Sequence, residues 1–98
     1  MRIVTKRRVR EYWENDKSSE KPLDAWYKAV KKLRVSNLAD LRKIFPHADL
    51  VGKCTVFNVG GNKYRVIVKI NYVSQTVFIK NIMTHKEYDL DKWKKDCV

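Results

Sequence analysis

Beyond Val51 the apolar residues stop recurring with a helical period and begin to alternate, so the chain is expected to fold as helices followed by a sheet. Two alternating runs, Lys53 to Val59 and Lys63 to Tyr72, are separated by Gly60, Gly61 and Asn62. Glycine and asparagine accept the positive φ angles of a tight hairpin, so these runs should pair antiparallel. A third run, Gln75 to Met83, returns after a turn centred on Val73 and Ser74. That turn sets a register in which Ile70 faces Val77, Val68 faces Ile79 and Val66 faces Asn81 on a buried side. On the open side Lys69 faces Phe78, Ile67 faces Lys80 and Arg65 faces Ile82. Arg65, Lys69 and Lys80 would then form a basic patch among aliphatic and aromatic side chains, a surface able to hold phosphates while bases lie against it.

The first half of the chain reads as helical. Met1 to Val4 suggests a short strand whose partner lies elsewhere, and Lys6 to Asn15 a helix with Val9, Tyr12 and Trp13 on one stripe. A polar loop leads to a second helix that opens near Ser18 or Ser19, tolerates Pro22 in its first turn and runs to about Arg34. Leu23, Trp26, Tyr27, Val30 and Leu33 share its inner face, which makes the tryptophans of these helices core anchors rather than base-stacking platforms. Asn37 is placed to cap a short helix from Leu38 to Phe45, stopped by Pro46. At the other end, Asp89 to Cys97 resembles a short C-terminal helix with Leu90 and Trp93 on one side. The expected architecture is α+β, a single domain over residues 1–98, with helices packed on a small antiparallel sheet of three main strands and a short N-terminal one.

Charge narrows the partners. Lys and Arg number 22 against 11 acids, a formal net charge of +11 on 98 residues. Such an excess draws polyanions by long-range steering and counterion release, and favours nucleic acid. No helix sets a basic face against a wholly apolar one and no segment is apolar enough to span a bilayer, so no membrane role and a cytoplasmic location are expected. Cys54 and Cys97 lack CxxC spacing and are read as free thiols, Cys97 frayed at the terminus. With His47 and His85 the only histidines, no zinc site and no cofactor are expected.

The chemistry concentrates where the last strand ends, in Thr84-His85-Lys86-Glu87-Tyr88-Asp89. RNA carries its own nucleophile in the 2′-hydroxyl, so cleavage needs a base for that proton, cations around the phosphate and an acid for the departing 5′ oxygen, without a metal. His85, Glu87 and Tyr88 are the acid and base candidates, while Arg65, Lys80 and Lys86 can stabilise charge. Asn62, Lys63 and Lys69 complete the expected RNA-binding set with Lys86. Each has a plainer reading: Tyr88 packing beside Trp93, His85 bonding a backbone carbonyl, Glu87 in a surface ion pair, and Asp89 capping the last helix. A mid-strand arginine is harder to explain so, since it must reach solvent or find a partner.

Three segments carry a family resemblance: Phe45-Pro46-His47-Ala48-Asp49, Val56 through Arg65, and Met83 through Asp89. With Pro22-Leu23 and Trp26-Tyr27 upstream, they resemble the HigB branch of the RelE-like toxins of bacterial toxin–antitoxin systems. The resemblance implies helices on a sheet whose concave face binds RNA. It also implies a ribosome-dependent endoribonuclease, an mRNA interferase cutting translated messenger RNA in the ribosomal A site. A helix-turn-helix, HigA-like antitoxin would inhibit it and carry it to operator DNA. The typical strand arginine, sheet cation and C-terminal tyrosine match Arg65, Lys80 and Tyr88. Other branches use a histidine, so His85 taking the proton while Tyr88 orients the base stands beside Tyr88 as the acting group. A basic module that blocks the ribosome or RNA without cutting is the alternative activity.

Overall fold

Helices form largely where the apolar stripes place them in a computed structural model that describes residues 1–98. Helix α1 (Lys6–Asn15) buries Val9 and leans Tyr12 and Trp13 on the core. A short 3-10 turn, Lys17–Ser19, precedes α2 (Glu20–Lys31), in which Leu23, Trp26, Tyr27 and Val30 are buried. The Ser19 hydroxyl donates to the Asp16 carbonyl at 2.6 Å instead of capping α2. The helix stops short of Arg34, yet Leu33 and Val35 still enter the core from the segment that follows it. Helix α3 (Leu38–Ile44) is capped as its sequence implies, the Asn37 side-chain oxygen accepting from the Asp40 amide at 2.9 Å.

The sheet has five strands in the order β1-β5-β4-β3-β2. These are β1 (Arg2–Val4), β2 (Asp49–Val51), β3 (Cys54–Val59), β4 (Tyr64–Asn71) and β5 (Thr76–Thr84). The central pairs are antiparallel, but β1 runs parallel to β5, so the sheet is mixed rather than all antiparallel. A parallel partner is available to β1 because the whole helical layer and two hairpins separate it from β5 in the chain. The edge strand β2 was not expected, since its three residues are too few to display alternation.

A bulge changes the register of the last hairpin. Ile70 pairs with Val77, Val68 with Ile79 and Lys69 with Phe78, as the turn dictates. Beyond Ile79 the ladder skips Lys80, so Ile67 meets Asn81, Val66 meets Ile82 and Arg65 meets Met83. Lys80 therefore does not oppose Ile67, and Asn81 does not face the core. The physical reason is that Ile79 and Ile82 both pack on the helical side, which strict alternation forbids at that spacing. One extra residue restores the match.

The sheet's second face is not open either. After β5 comes a single helical turn, α4 (His85–Tyr88), then a 3-10 segment, Lys92–Cys97. That segment lies over the second face, where Cys54, Val56, Ile67, Met83, Trp93 and Cys97 form a small buried cluster. Cys54 and Cys97 are joined in a disulfide, which corrects the reading of two free thiols and a frayed end. Asp89 follows α4 as its C-terminal cap and does not begin a helix, and Leu90 is 61% exposed rather than packed.

Candidate active site

Topology brings the candidate residues together at one end of the sheet. Tyr64 pairs with Thr84, and the His85 amide donates to the Lys63 carbonyl at 2.9 Å, so the β3–β4 turn and the start of α4 are neighbours. Thr84 caps α4 reciprocally with Glu87. Its hydroxyl accepts from the Glu87 amide at 3.2 Å, while the Glu87 carboxylate accepts from the Thr84 amide and hydroxyl, both at 3.1 Å. Glu87 thus sets the direction in which His85 and Tyr88 leave the strand.

Arg65 is the centre of the arrangement and is only 6% exposed. One terminal nitrogen, Nη1, donates to the carbonyls of Asn62 and Tyr64 at 3.1 and 3.2 Å. The other, Nη2, donates to the Asn62 side-chain oxygen at 2.6 Å and lies 3.2 Å from His85 Nδ1. Asn62 reaches this position from a turn in which its own φ is 83°, a conformation asparagine tolerates. None of the ion pairs in the molecule involves Arg65. The guanidinium is therefore buried among neutral acceptors with its charge unmatched by any carboxylate. This differs from the exposed arginine expected on an open face, because Asn62, His85 and Tyr88 close around the guanidinium at that end of the sheet.

A guanidinium offers only donors, so His85 Nδ1 must accept from it, which puts the ring proton on Nε2. The Asp89 carboxylate stands 3.7 Å from the same Nδ1. The Tyr88 ring lies under the Arg65 guanidinium, 5.1 Å from centre to carbon, and stacks on Trp93 at 4.8 Å and 17°. Burial pushes the Tyr88 phenol above its ordinary range, with Asp49 adding to the effect and Arg65 opposing it. Tyr88 thus keeps its proton at neutral pH.

In front of Arg65 and Tyr88 opens a groove of about 400 Å³, walled by Arg42, His47, Asp49 and Asn58. It continues past His47 and Asn58 into a hollow of about 430 Å³ bounded by Gly61 and Asn62. Arg42 secures the wall, donating to the Ala48 carbonyl at 2.9 Å and to the Asp49 carboxylate at 3.4 Å. His47 and Asn58 were not among the site residues expected from sequence. A signal for Asn58 existed, since the Gly60-Gly61-Asn62 turn pairs it with Arg65 across the hairpin.

The remaining expected contacts disperse. Lys63 turns to the helical side, its ammonium 5.4 Å from the Tyr64 ring centre and 3.4 Å from the Ser18 hydroxyl. Lys69 lies farther along β4, paired with Phe78. Lys80 is the exposed bulge residue, and Lys86 is exposed on α4. The structure gathers Arg65, His85, Tyr88 and Asn62, and leaves the lysines spread around them. No group of histidine, cysteine, aspartate and glutamate side chains is arranged to hold a metal ion, and no helix is long and apolar enough to cross a membrane.

Known proteins resemble this chain along most of its length. Residues 19–91 match the HigB_toxin family, described as the RelE-like toxic component of a toxin-antitoxin system. The chain is 33% identical over 92 residues to the mRNA interferase toxin HigB of Escherichia coli (strain K12), covering 91% of this chain and 88% of that protein. The mRNA interferase HigB of Shigella flexneri matches to the same extent. That of Escherichia coli O6:H1 is 34% identical, over 91% of this chain and 89% of its own.

Proposed function

The chain belongs to the HigB family of RelE-like toxins, toxic components of toxin–antitoxin systems, and from that premise we propose that it is an endoribonuclease that cleaves messenger RNA. The observation that carries the reading is Arg65, a buried cation that lines a groove, is ion-paired to no carboxylate and is flanked by an imidazole and a phenol. A buried charge held by neutral acceptors costs solvation free energy, and an anion in the groove recovers part of it. The scissile phosphate of RNA is such an anion.

In this scheme the phosphate sits over Arg65, which stabilises the charge that develops on its oxygens. The phosphate draws Arg65 Nη2 away from His85 Nδ1, which frees that nitrogen's lone pair to take the 2′-hydroxyl proton. The protonated ring then donates from Nδ1 to Asp89, which is already within 3.7 Å. Tyr88, kept protonated by burial, donates to the departing 5′ oxygen. No step requires a metal. Glu87 orients the turn and moves no proton, and Lys69, Lys80 and Lys86 hold flanking phosphates by charge.

Few groups here can orient a flexible RNA, so the translating ribosome is proposed to present the message in its A site. The antitoxin partner that membership of the family brings is proposed to be a HigA-like, helix-turn-helix protein in the same cytoplasm. An acidic or amphipathic segment of it would mask the basic groove, and operator DNA would be reached only through it. Primer extension on a translated message after induction without antitoxin tests the function. Discrete in-frame cut sites are expected, absent from the same message when its start codon is removed. Translation arrest with intact messages would instead leave a ribosome-blocking protein.

A further inference from the structure

Trp93 is 4% exposed, yet it belongs to neither the helical core nor the groove. It stands in the small cluster on the second face with Val56, Ile67 and Met83 beneath it. Its indole stacks on the Tyr88 ring, and its Nε1 donates to the Tyr88 carbonyl at 2.9 Å. Both the ring and the backbone of Tyr88 are therefore held by one side chain.

Apart from Trp93, Tyr88 is met by the Arg65 guanidinium over its ring and by the Asp91 amide, which donates to its carbonyl at 3.1 Å. Helix α4 is a single turn of four residues, too short to be stable by its own hydrogen bonds. Its capping box fixes the first residues of the turn, whereas Tyr88 is the last. Trp93, by contrast, is well anchored. The Cys54–Cys97 disulfide ties its segment to β3, and the Lys53 amide donates to the Cys97 carbonyl at 2.6 Å. Gly52, at φ +57°, leaves room there that any Cβ would fill, because it would collide with the Cys97 carbonyl.

We propose that Trp93 is a positioning residue for RNA cleavage, holding the Tyr88 ring at Arg65 so that its phenol faces the groove. The proposal rests on the endoribonuclease reading above, but the geometry it invokes can be measured without activity. A misplacement of about 1 Å can cost about 100-fold in rate, so the contribution of Trp93 should appear in the chemical step and not in affinity.

The experiment compares the parent with Trp93→Phe and Trp93→Leu. Single-turnover cleavage on programmed ribosomes at saturating toxin is measured beside ribosome binding, with aromatic proton NMR of each free protein. Trp93→Leu should cleave about 10- to 100-fold more slowly while binding ribosomes like the parent. Trp93→Phe, which retains a stacking ring, should recover most of the rate. In the parent, Tyr88 ring protons should be shifted upfield by the indole, and in Trp93→Leu that shift should vanish. A folded Trp93→Leu with the parental saturating rate overturns the proposal, as does a loss confined to binding. Should Trp93→Leu fail to fold, the parent spectrum decides, because Tyr88 protons without an upfield shift overturn it equally. If the parent itself does not cleave, the endoribonuclease reading falls, and the ring shift alone then tells whether Trp93 places Tyr88.

Discussion

The helix-covered face of the sheet buries a cluster of 16 residues, whereas the opposite face buries six, two of them joined by a disulfide. On the first face α1 and α2 lay Val9, Leu23, Trp26 and Val30 against Phe57, Val66, Val68 and Val77, all nearly inaccessible. On the second, a short 3-10 segment supplies little more than Trp93 and Cys97. Hydrophobic burial scales with area, so the first face supplies most of the fold's stability and the second relies on a covalent tether. The thinly covered face is where a charged guanidinium can lie between a groove and the protein interior. The two faces divide the work: one holds the fold, and the other carries the proposed chemistry.

That division breaks most visibly if substitutions on the two faces have the same consequences. Leu23→Ala, on the helical side, should lower unfolding free energy by about 2–5 kcal/mol while leaving the saturating cleavage rate near parental in the folded protein. Arg65→Ala should do the reverse. Loss of one preorganised donor costs about 10²- to 10³-fold in rate, while the lost hydrogen bonds cost about 1–2 kcal/mol of stability. Arg65→Lys should be almost as inactive, because an ammonium cannot span the Asn62 and His85 acceptors together. Denaturant melts and single-turnover cleavage on programmed ribosomes measure both quantities. An Arg65→Ala protein that cleaves normally would place the chemistry elsewhere.

The helical face was largely legible from sequence, and the other much less so. Val9, Leu23, Trp26, Tyr27 and Val30 declare their face through a period repeated over several turns. The Gly60-Gly61-Asn62 hairpin and the Val73-Ser74 turn likewise fix pairings that are local in the chain. Lys80 was misplaced because a bulge is dictated by what both neighbouring stretches must bury, not by the residue itself. Family resemblance and the His85-to-Asp89 cluster pointed to one end of the sheet, and Arg65, His85 and Tyr88 meet there. The burial of Arg65 was hidden, since it depends on His85 and Tyr88 of α4, far along the chain, folding back against it. The disulfide was hidden for the same reason: Cys54 and Cys97 are 43 positions apart, and nothing in either neighbourhood announces the other.

The tether itself supplies the next test. Cys54→Ser with Cys97→Ser reopens a loop of 43 residues' separation, for which chain-entropy arguments give a loss of about 4 kcal/mol. If the second face is as weakly packed as its six buried residues imply, hydrogen exchange in Lys92–Cys97 should accelerate before that of β4 and β5. Uniform acceleration across the sheet would mean that the two faces unfold as one unit and would weaken the comparison.

A smaller effect separates the faces by pH. Where α1 meets the hairpin, burial above all, with Glu87, Asp16 and Tyr64 adding to it, raises the Tyr12 phenol from 10.0 to about 12. A raised folded value favours the neutral phenol in the fold, so its contribution is complete below the unfolded value and is lost as pH rises through the folded one. Thermal midpoints should therefore decline between pH 10 and about 12, and Tyr12→Phe should flatten that decline. A decline unchanged by the substitution would assign it to the other raised phenols, Tyr72 and Tyr88.

The smallest expected effect bears on the one carboxylate that sequence placed among the acid–base candidates. Glu87 completes the capping box of α4 by accepting from the Thr84 amide and hydroxyl, and glutamine serves in such a box about as well as glutamate. Glu87→Gln should consequently change stability by no more than about 0.5 kcal/mol and the saturating cleavage rate by only a few-fold. Glu87→Ala removes the acceptor, and with it about 1 kcal/mol of capping, which loosens the turn that carries His85 and Tyr88. The two substitutions thus separate orientation from proton transfer. A general acid or base is worth about 10²- to 10⁴-fold, and glutamine cannot titrate. If Glu87→Gln lost cleavage on that scale while its melt stayed parental, the carboxylate would be moving a proton, and His85 would have to surrender that role.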